Sequence, residues 1–139
     1  MAHAHLRHNE RGMALIEMAI VVTLLVLLTF GVMEYGWMFF RMHQVSTVAR
    51  EGAREAVLPD TTHADVVGKV DGLMSGFGMS ATGYTVEIFP ADIEGVNVGD
   101  VITVAIAVPY SAVELLGMPT FFPTPASLRS RVAMAKEGP

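Results

Sequence analysis

Hydrophobic positions fall along this chain in three successive rhythms. Met13 to Met33 is apolar at almost every position, and Met18 to Met33 carries no charge. At about 1.5 Å per residue that stretch reaches about 31 Å, enough to cross the hydrocarbon core of a bilayer. From Tyr35 the apolar residues thin to three-and-four spacing: Tyr35, Met38, Phe39, Met42, Val45, Ala49, Gly52, Ala53 and Ala56. This spacing lays one apolar stripe along a helix. Arg41, His43, Gln44, Ser46, Thr47, Arg50, Arg54 and Glu55 fill much of the rest. No proline interrupts the pattern before Pro59, so both rhythms predict one helix from about Ala14 to Leu58, about 67 Å long. Gly31, Gly36 and Gly52 weaken it locally, and a bend or thinned turn is expected near Gly31 or Gly36.

After Pro59-Asp60 the pattern restarts. Thr62-His-Ala-Asp65 has the form of a capping box, with aspartate in the place more often held by glutamate. Val66, Val67, Val70, Leu73 and Met74 then predict a short amphipathic helix closing at Gly76-Phe-Gly78. Beyond it the period drops to two. Tyr84, Val86 and Ile88 alternate with Thr85 and Glu87, and Ile102, Val104, Ile106 and Val108 alternate with Thr103, Ala105 and Ala107. These runs predict strands, with turn residues Asn97-Val-Gly-Asp100 between them. Leu128 to Lys136 predicts a third. The stretch Gly117 to Pro125 holds too many prolines for regular structure. The expected class is α+β: a long N-terminal transmembrane-plus-stalk helix, a short second helix, and a small antiparallel sheet packed on the outer part of the long helix. The expected organisation is a short basic leader over 1–12, a membrane helix over 13–34, a helical stalk over 35–58 and a small extracytoplasmic domain over 59–139.

Composition narrows the functional classes. The 139 residues carry a net charge of −5, which argues against a general nucleic-acid binder. The chain has no cysteine, so disulfides, thiolate metal sites and cysteine nucleophiles are excluded. The mean hydropathy of +0.46 traces mostly to the first apolar run. That run exceeds the roughly 7–15 apolar residues of a secretory signal, and no A-x-A site follows it, so it reads as a retained helix. The short N-terminal tail with Arg7 and Arg11 predicts a cytoplasmic N-terminus. Tyr35, Trp37, Phe39 and Phe40 form an aromatic belt at the outer interface.

Candidate chemistry is sparse. His3, His5 and His8 lie in the leader without a third-element ligand, so no metal site is assigned, and no cofactor motif appears. No nucleophile elbow, phosphate loop or pocket of paired acids is present, so no enzyme is expected. Glu17 is the residue that needs an explanation. A carboxylate at a helix centre in hydrocarbon costs roughly 2.5–3.5 kcal/mol, less near an end. Cleavage after Gly12 would create a cation at Met13, which the Glu17 of a helix shifted by about one turn could meet. An interfacial carboxylate that snorkels to headgroups is the plainer alternative. Glu34 reads as the outer edge of the span rather than a buried functional site. Around Gly52 and Ala53, the run Arg50-Glu51-Gly52-Ala53-Arg54-Glu55 supports two compatible readings. One is a solvated face with a Glu51–Arg54 pair; the other is a close approach by another helix.

Gly12 followed by Met-Ala-Leu-Ile-Glu17 and a long apolar helix resembles the class III signal of type IV prepilins and pseudopilins. Arg11-Gly-Met-Ala-Leu-Ile-Glu-Met-Ala, Phe30-Gly-Val-Met-Glu-Tyr-Gly36 and Ala49-Arg-Glu-Gly-Ala-Arg-Glu-Ala56 together resemble the TadE-like family of minor pseudopilins in tight-adherence (Flp) pilus systems. The resemblance covers about Arg11 to Ala56. It departs from many relatives at Met18, where they carry an aromatic, and in lacking an early proline, with Thr23 standing nearby. It implies cleavage between Gly12 and Met13 by a prepilin peptidase on the cytoplasmic side. It also implies assembly contacts through Met13, Glu17, Glu34, Gly52 and Ala53. The implied partners are pilin and pseudopilin subunits, the assembly machinery and the lipid bilayer, in a homo- or hetero-oligomer joined through the N-terminal helix. The implied location is a bacterial inner membrane with the C-terminal domain extracytoplasmic, and incorporation in the extracellular pilus. The alternative is an uncleaved anchor that presents an extracytoplasmic binding or adhesion module.

Overall fold

The computed structural model describes residues 4–117 and 121–138, with side chains from Gly12 onward. The histidines of the leader and part of the proline-rich loop therefore lie outside the described residues or side chains. The elements are helix α1 (Ala4–Ala56), helix α2 (His63–Gly76), strands β1 (Thr85–Phe89), β2 (Val101–Pro109) and β3 (Ser127–Ala135), and a single 3₁₀ turn at Tyr110–Ala112. The class is α+β, with the small sheet contacting the long helix, as the residue pattern predicts.

Helix α1 starts about ten residues before the expected Ala14, because no proline or cap interrupts the sequence before Gly12. Helical hydrogen bonding continues through Gly31 and Gly36, so no thinned turn forms there. The chain divides into two compact units, Met1–Gly36 and Trp37–Pro139. The described residues of the first are helix alone. Its apolar residues are exposed around the whole circumference: Leu15 is 72% exposed, and Ile16, Leu24 and Leu28 are also open. The stretch Gly12–Ala56 contains an 18-residue window of mean hydropathy 2.6, long and apolar enough to cross a membrane. The threonine hydroxyls of the apolar run are satisfied within the helix: Thr23 Oγ1 donates to Ala19 O at 2.7 Å, and Thr29 Oγ1 to Leu25 O at 2.8 Å. A polar group in hydrocarbon needs such an internal acceptor, and the preceding turn supplies it.

The second unit is built on the outer part of α1. Its apolar stripe buries Val45, Val48, Ala49, Ala53 and Ala56 completely. Helix α2 starts where the sequence predicts. Asp65 N donates to Thr62 Oγ1, and Asp65 Oδ2 accepts from the Thr62 backbone N–H at 2.9 Å, closing the capping box. The Thr62 hydroxyl, which donates to Asp65 Oδ2 at 2.7 Å, and then the Thr62 backbone N–H hold the Asp65 carboxyl below its ordinary range. Val66, Val70 and Met74 then turn inward.

The sheet is antiparallel in the order β1-β2-β3. Val86 pairs with Ile106 and Ile88 with Val104, while Val104 pairs with Val132 and Val108 with Leu128. The period of two sends Ile102, Val104, Ile106 and Val108 into the core. Thr103, Ala105 and Ala107 occupy the opposite face. The turn Asn97–Asp100 forms as expected: Asp100 N bonds to Asn97 O at 3.1 Å, and Gly99 takes φ +92, which suits glycine. Two ties close the far end of the unit. Glu137 N donates to Val57 O at 2.9 Å, and Lys136 Nζ donates to Leu58 O at 3.2 Å. The last strand is thereby fastened to the end of the stalk.

Candidate assembly helix

The residues expected to carry function all lie on α1, and the structure treats them in two ways. Gly12, Met13 and Glu17 are exposed, and a Cβ built at Gly12 would meet nothing within 4 Å. Met13 and Glu17 stand four residues apart, so they share a face one turn from each other.

The other three are buried. Glu34 is 3% exposed and engaged by other groups, although the flanking Met33 is open. Its side chain is thus buried, against the expectation that it is not a buried group. At Gly52 the predicted close approach is present, and the helix that makes it is the chain's own α2. A Cβ at Gly52 would lie 2.9 Å from Val70 Cγ2 and 3.4 Å from Val104 Cγ1. Ala53 is fully buried in the same cluster as Val66 and Ile102. These two residues are thus filled within the chain rather than offered to a neighbour. The solvated side of the same run is also present: Arg50 and Arg54 are exposed, and Arg50 Nη2 bonds to Ser46 Oγ at 3.1 Å. The predicted Glu51–Arg54 pair does not form. Glu55 of the same run pairs instead with Lys69 at 4.0 Å, because α2 brings Lys69 to that turn.

A cluster the sequence reading missed sits at the first turns of the stalk. Trp37 Nε1 donates to Val113 O at 2.7 Å, fixing the turn after β2 to the helix. The Arg41 guanidinium lies 4.6 Å from the Trp37 ring centroid. Its Nη1 donates to Gln44 Oε1 at 3.0 Å and to Phe77 O at 3.1 Å, at the C-cap of α2. One arginine thus ties the stalk to the end of the second helix. The Trp37-x-x-x-Arg41 spacing was the available signal, since residues four apart meet on a helix.

Elsewhere the chemistry is structural. Tyr84 Oη donates to Asp71 Oδ1 at 2.6 Å, and that bond, with some burial, pushes the phenol up to about 12. Among the described residues no group of three His, Cys, Asp or Glu side chains could hold a metal ion. A depression of about 140 Å³ on the outer sheet face, lined by Thr85, Glu87, Ala105, Ala107, Arg129 and Arg131, is smaller than ligand pockets of about 300–1,000 Å³. A wider one of about 470 Å³ beside Pro59, Thr62 and Glu94 includes Lys136, whose ammonium is occupied by Leu58 O.

Residues 12–54 match the model of a family described as TadE-like protein. The match takes in every expected site residue and ends before α2 and the sheet. Neither curated proteins nor solved structures gave a match. Over that stretch the chain is similar to the TadE-like family, and the stretch lies on a helix long and apolar enough to span a membrane.

Proposed function

We propose that this chain is a pseudopilin-like single-pass membrane protein that acts in the assembly, initiation or structure of a tight-adherence (Flp) pilus. The observation that carries the reading is the family match over residues 12–54, which includes Gly12, Met13 and Glu17 at the exposed start of the apolar helix. In this reading residues 13–34 lie in the inner membrane with the N-terminus cytoplasmic, and a prepilin peptidase removes the leader at Gly12. Glu17 then pairs with the freed amine of a neighbouring pilin-like subunit. The apolar helix supplies lateral packing, because lipid-exposed residues that meet another helix gain van der Waals contact. Glu34 is a further assembly residue in this reading. Gly52 and Ala53 act on partners through the shape of the stalk they pack.

The test is N-terminal sequencing of the protein recovered from membranes and from sheared appendages. A chain beginning at Met13 in both supports the reading; a chain beginning at Met1 in cells with active peptidase overturns the processing step and favours the uncleaved anchor. Glu17→Ala is expected to leave membrane insertion intact while reducing recovery in filaments. Equal recovery of variant and parent would remove the role given to the carboxylate.

A further inference from the structure

We propose that the outer face of the sheet is a self-complementary contact surface, on which a second copy of this chain docks about a twofold axis parallel to β2. Every residue of that face lies in the outer unit, Trp37–Pro139. The inner face meets the core, where Ile102, Val104, Ile106 and Val108 are buried. The outer face stays open: Thr85, Glu87, Phe89, Arg129 and Arg131 are all exposed, Phe89 at 75%.

The strand register sets these side chains in rows, because residues directly opposite in an antiparallel pair share a face. Glu87 pairs with Ala105, and Ala105 with Arg131. Phe89 pairs with Thr103, and Thr103 with Ala133. Thr85 pairs with Ala107, and Ala107 with Arg129. The two ends of a row therefore differ in charge or size. They stand about 10 Å apart, two strand spacings. Neither Glu87 nor Arg131 has a hydrogen-bond or ion-pair partner among the described residues. A trough follows the alanines of β2. Its hollow of about 140 Å³ shares Glu87, Ala105 and Arg131 with one of about 350 Å³ that reaches Phe89 and Thr103.

A twofold axis parallel to β2 lays β1 of one copy over β3 of the other. Glu87 then faces Arg131 of the second copy, and symmetry repeats the ion pair. Phe89 faces Ala133, whose methyl leaves room for the ring, and the Thr85 hydroxyl can accept from the Arg129 guanidinium. A twofold axis running across the strands lays β3 on β3 instead, and sets arginines against arginines. Charge therefore selects the first arrangement. Three strands at about 4.8 Å and five residues at about 3.4 Å give a face of roughly 14 by 17 Å. That is a few hundred Å² per copy, below the roughly 800 Å² per partner of a stable free-standing complex. The contact is weak by itself and acts between copies already held close.

The chain has no cysteine, so one introduced thiol marks one position. Ala105→Cys lies in the trough, on the axis, and Ser75→Cys lies on the exposed surface of α2. The full chain is concentrated in detergent micelles and treated with a short bismaleimide. Dimer formation is normalised to labelling by a monofunctional maleimide. Ala105→Cys is expected to crosslink several-fold faster than Ser75→Cys. Adding Glu87→Arg alone, or Arg131→Glu alone, should bring Ala105→Cys down to the Ser75→Cys rate. Mixing those two variants should restore it, because each mixed dimer sets two arginines against two glutamates. Circular dichroism checks that the exchanged surface charges leave the fold intact. Equal crosslinking at the two thiols overturns the proposal. Fast crosslinking at Ala105→Cys that the single exchanges leave unchanged, or that mixing fails to restore, overturns it as well. An adduct formed in cells with a different protein in place of the dimer assigns the face to that partner, and likewise overturns it.

Discussion

Leu24 and Val48 stand on the same helix; Leu24 is 60% exposed and Val48 fully buried. The difference lies in how apolar residues are distributed around each segment rather than in how many there are. Around Leu24 they occupy every side, so no single covering layer could bury them all. Around Val48 they keep to one stripe, and α2 and the sheet cover it. A helix apolar all round suits a surrounding apolar solvent, whereas a striped helix suits one packed face. The contrast also separates two kinds of glycine. Gly36 has open space where a Cβ would go, whereas Gly52 has Val70 against it.

The largest expected effect tests the packed half. Ile106→Ala removes a core side chain and should cost about 2–5 kcal/mol of stability in the outer unit. Leu24→Ala should move that unfolding by less than about 0.5 kcal/mol. Urea titration in detergent micelles, followed by emission of Trp37, the sole tryptophan, measures both. Equal losses would erase the distinction between the halves. The second pair should differ in sign. Gly36→Ala gains roughly 0.5–1 kcal/mol of helix stability. At Gly52 the same gain is outweighed by about 1–3 kcal/mol of overpacking against Val70, so Gly52→Ala is expected to be destabilising by thermal melting.

The smallest effect concerns the cap of α2. The Asp65 carboxyl titrates below its usual value of 3.8 because it accepts bonds from Thr62. Its contribution is therefore fully present above about pH 3.8, the unfolded value, and is lost as pH falls through the lower folded value. Asp65→Asn should flatten the acid limb of the stability profile measured by denaturant titration between neutral pH and pH 3. An unchanged acid limb would remove the linkage.

Much of this fold is written locally. The capping box of α2 and the alternation of Ile102, Val104, Ile106 and Val108 each follow from neighbours in sequence, and each appears in the structure. What escaped the reading depends on residues far apart in the chain. Nothing next to Trp37 announces the carbonyl of Val113 as its acceptor. Arg41 reads as a solvated charge until Phe77 O is brought beside it. Gly52 and Ala53 correctly signalled a close helix approach, but spacing alone cannot say whether the approaching helix belongs to the same chain. Of the expected assembly residues, Gly12, Met13 and Glu17 were placed by motif, and their exposure is consistent with a role completed by another subunit. The burial of Glu34 was not legible, because a carboxylate after an apolar run ordinarily marks the return to water.

Two of the fastenings of the outer unit, Trp37 to Val113 and Glu137 to Val57, grip one helix at points about 30 Å apart along its axis. A rod held at a single point can spin inside its load; a rod held at both ends cannot. Torque applied to the stalk at its lower turns is therefore delivered to the sheet as rotation of the whole body. Within this unit, the orientation of the sheet is geared to the azimuth of the stalk turns from Trp37 to Val57.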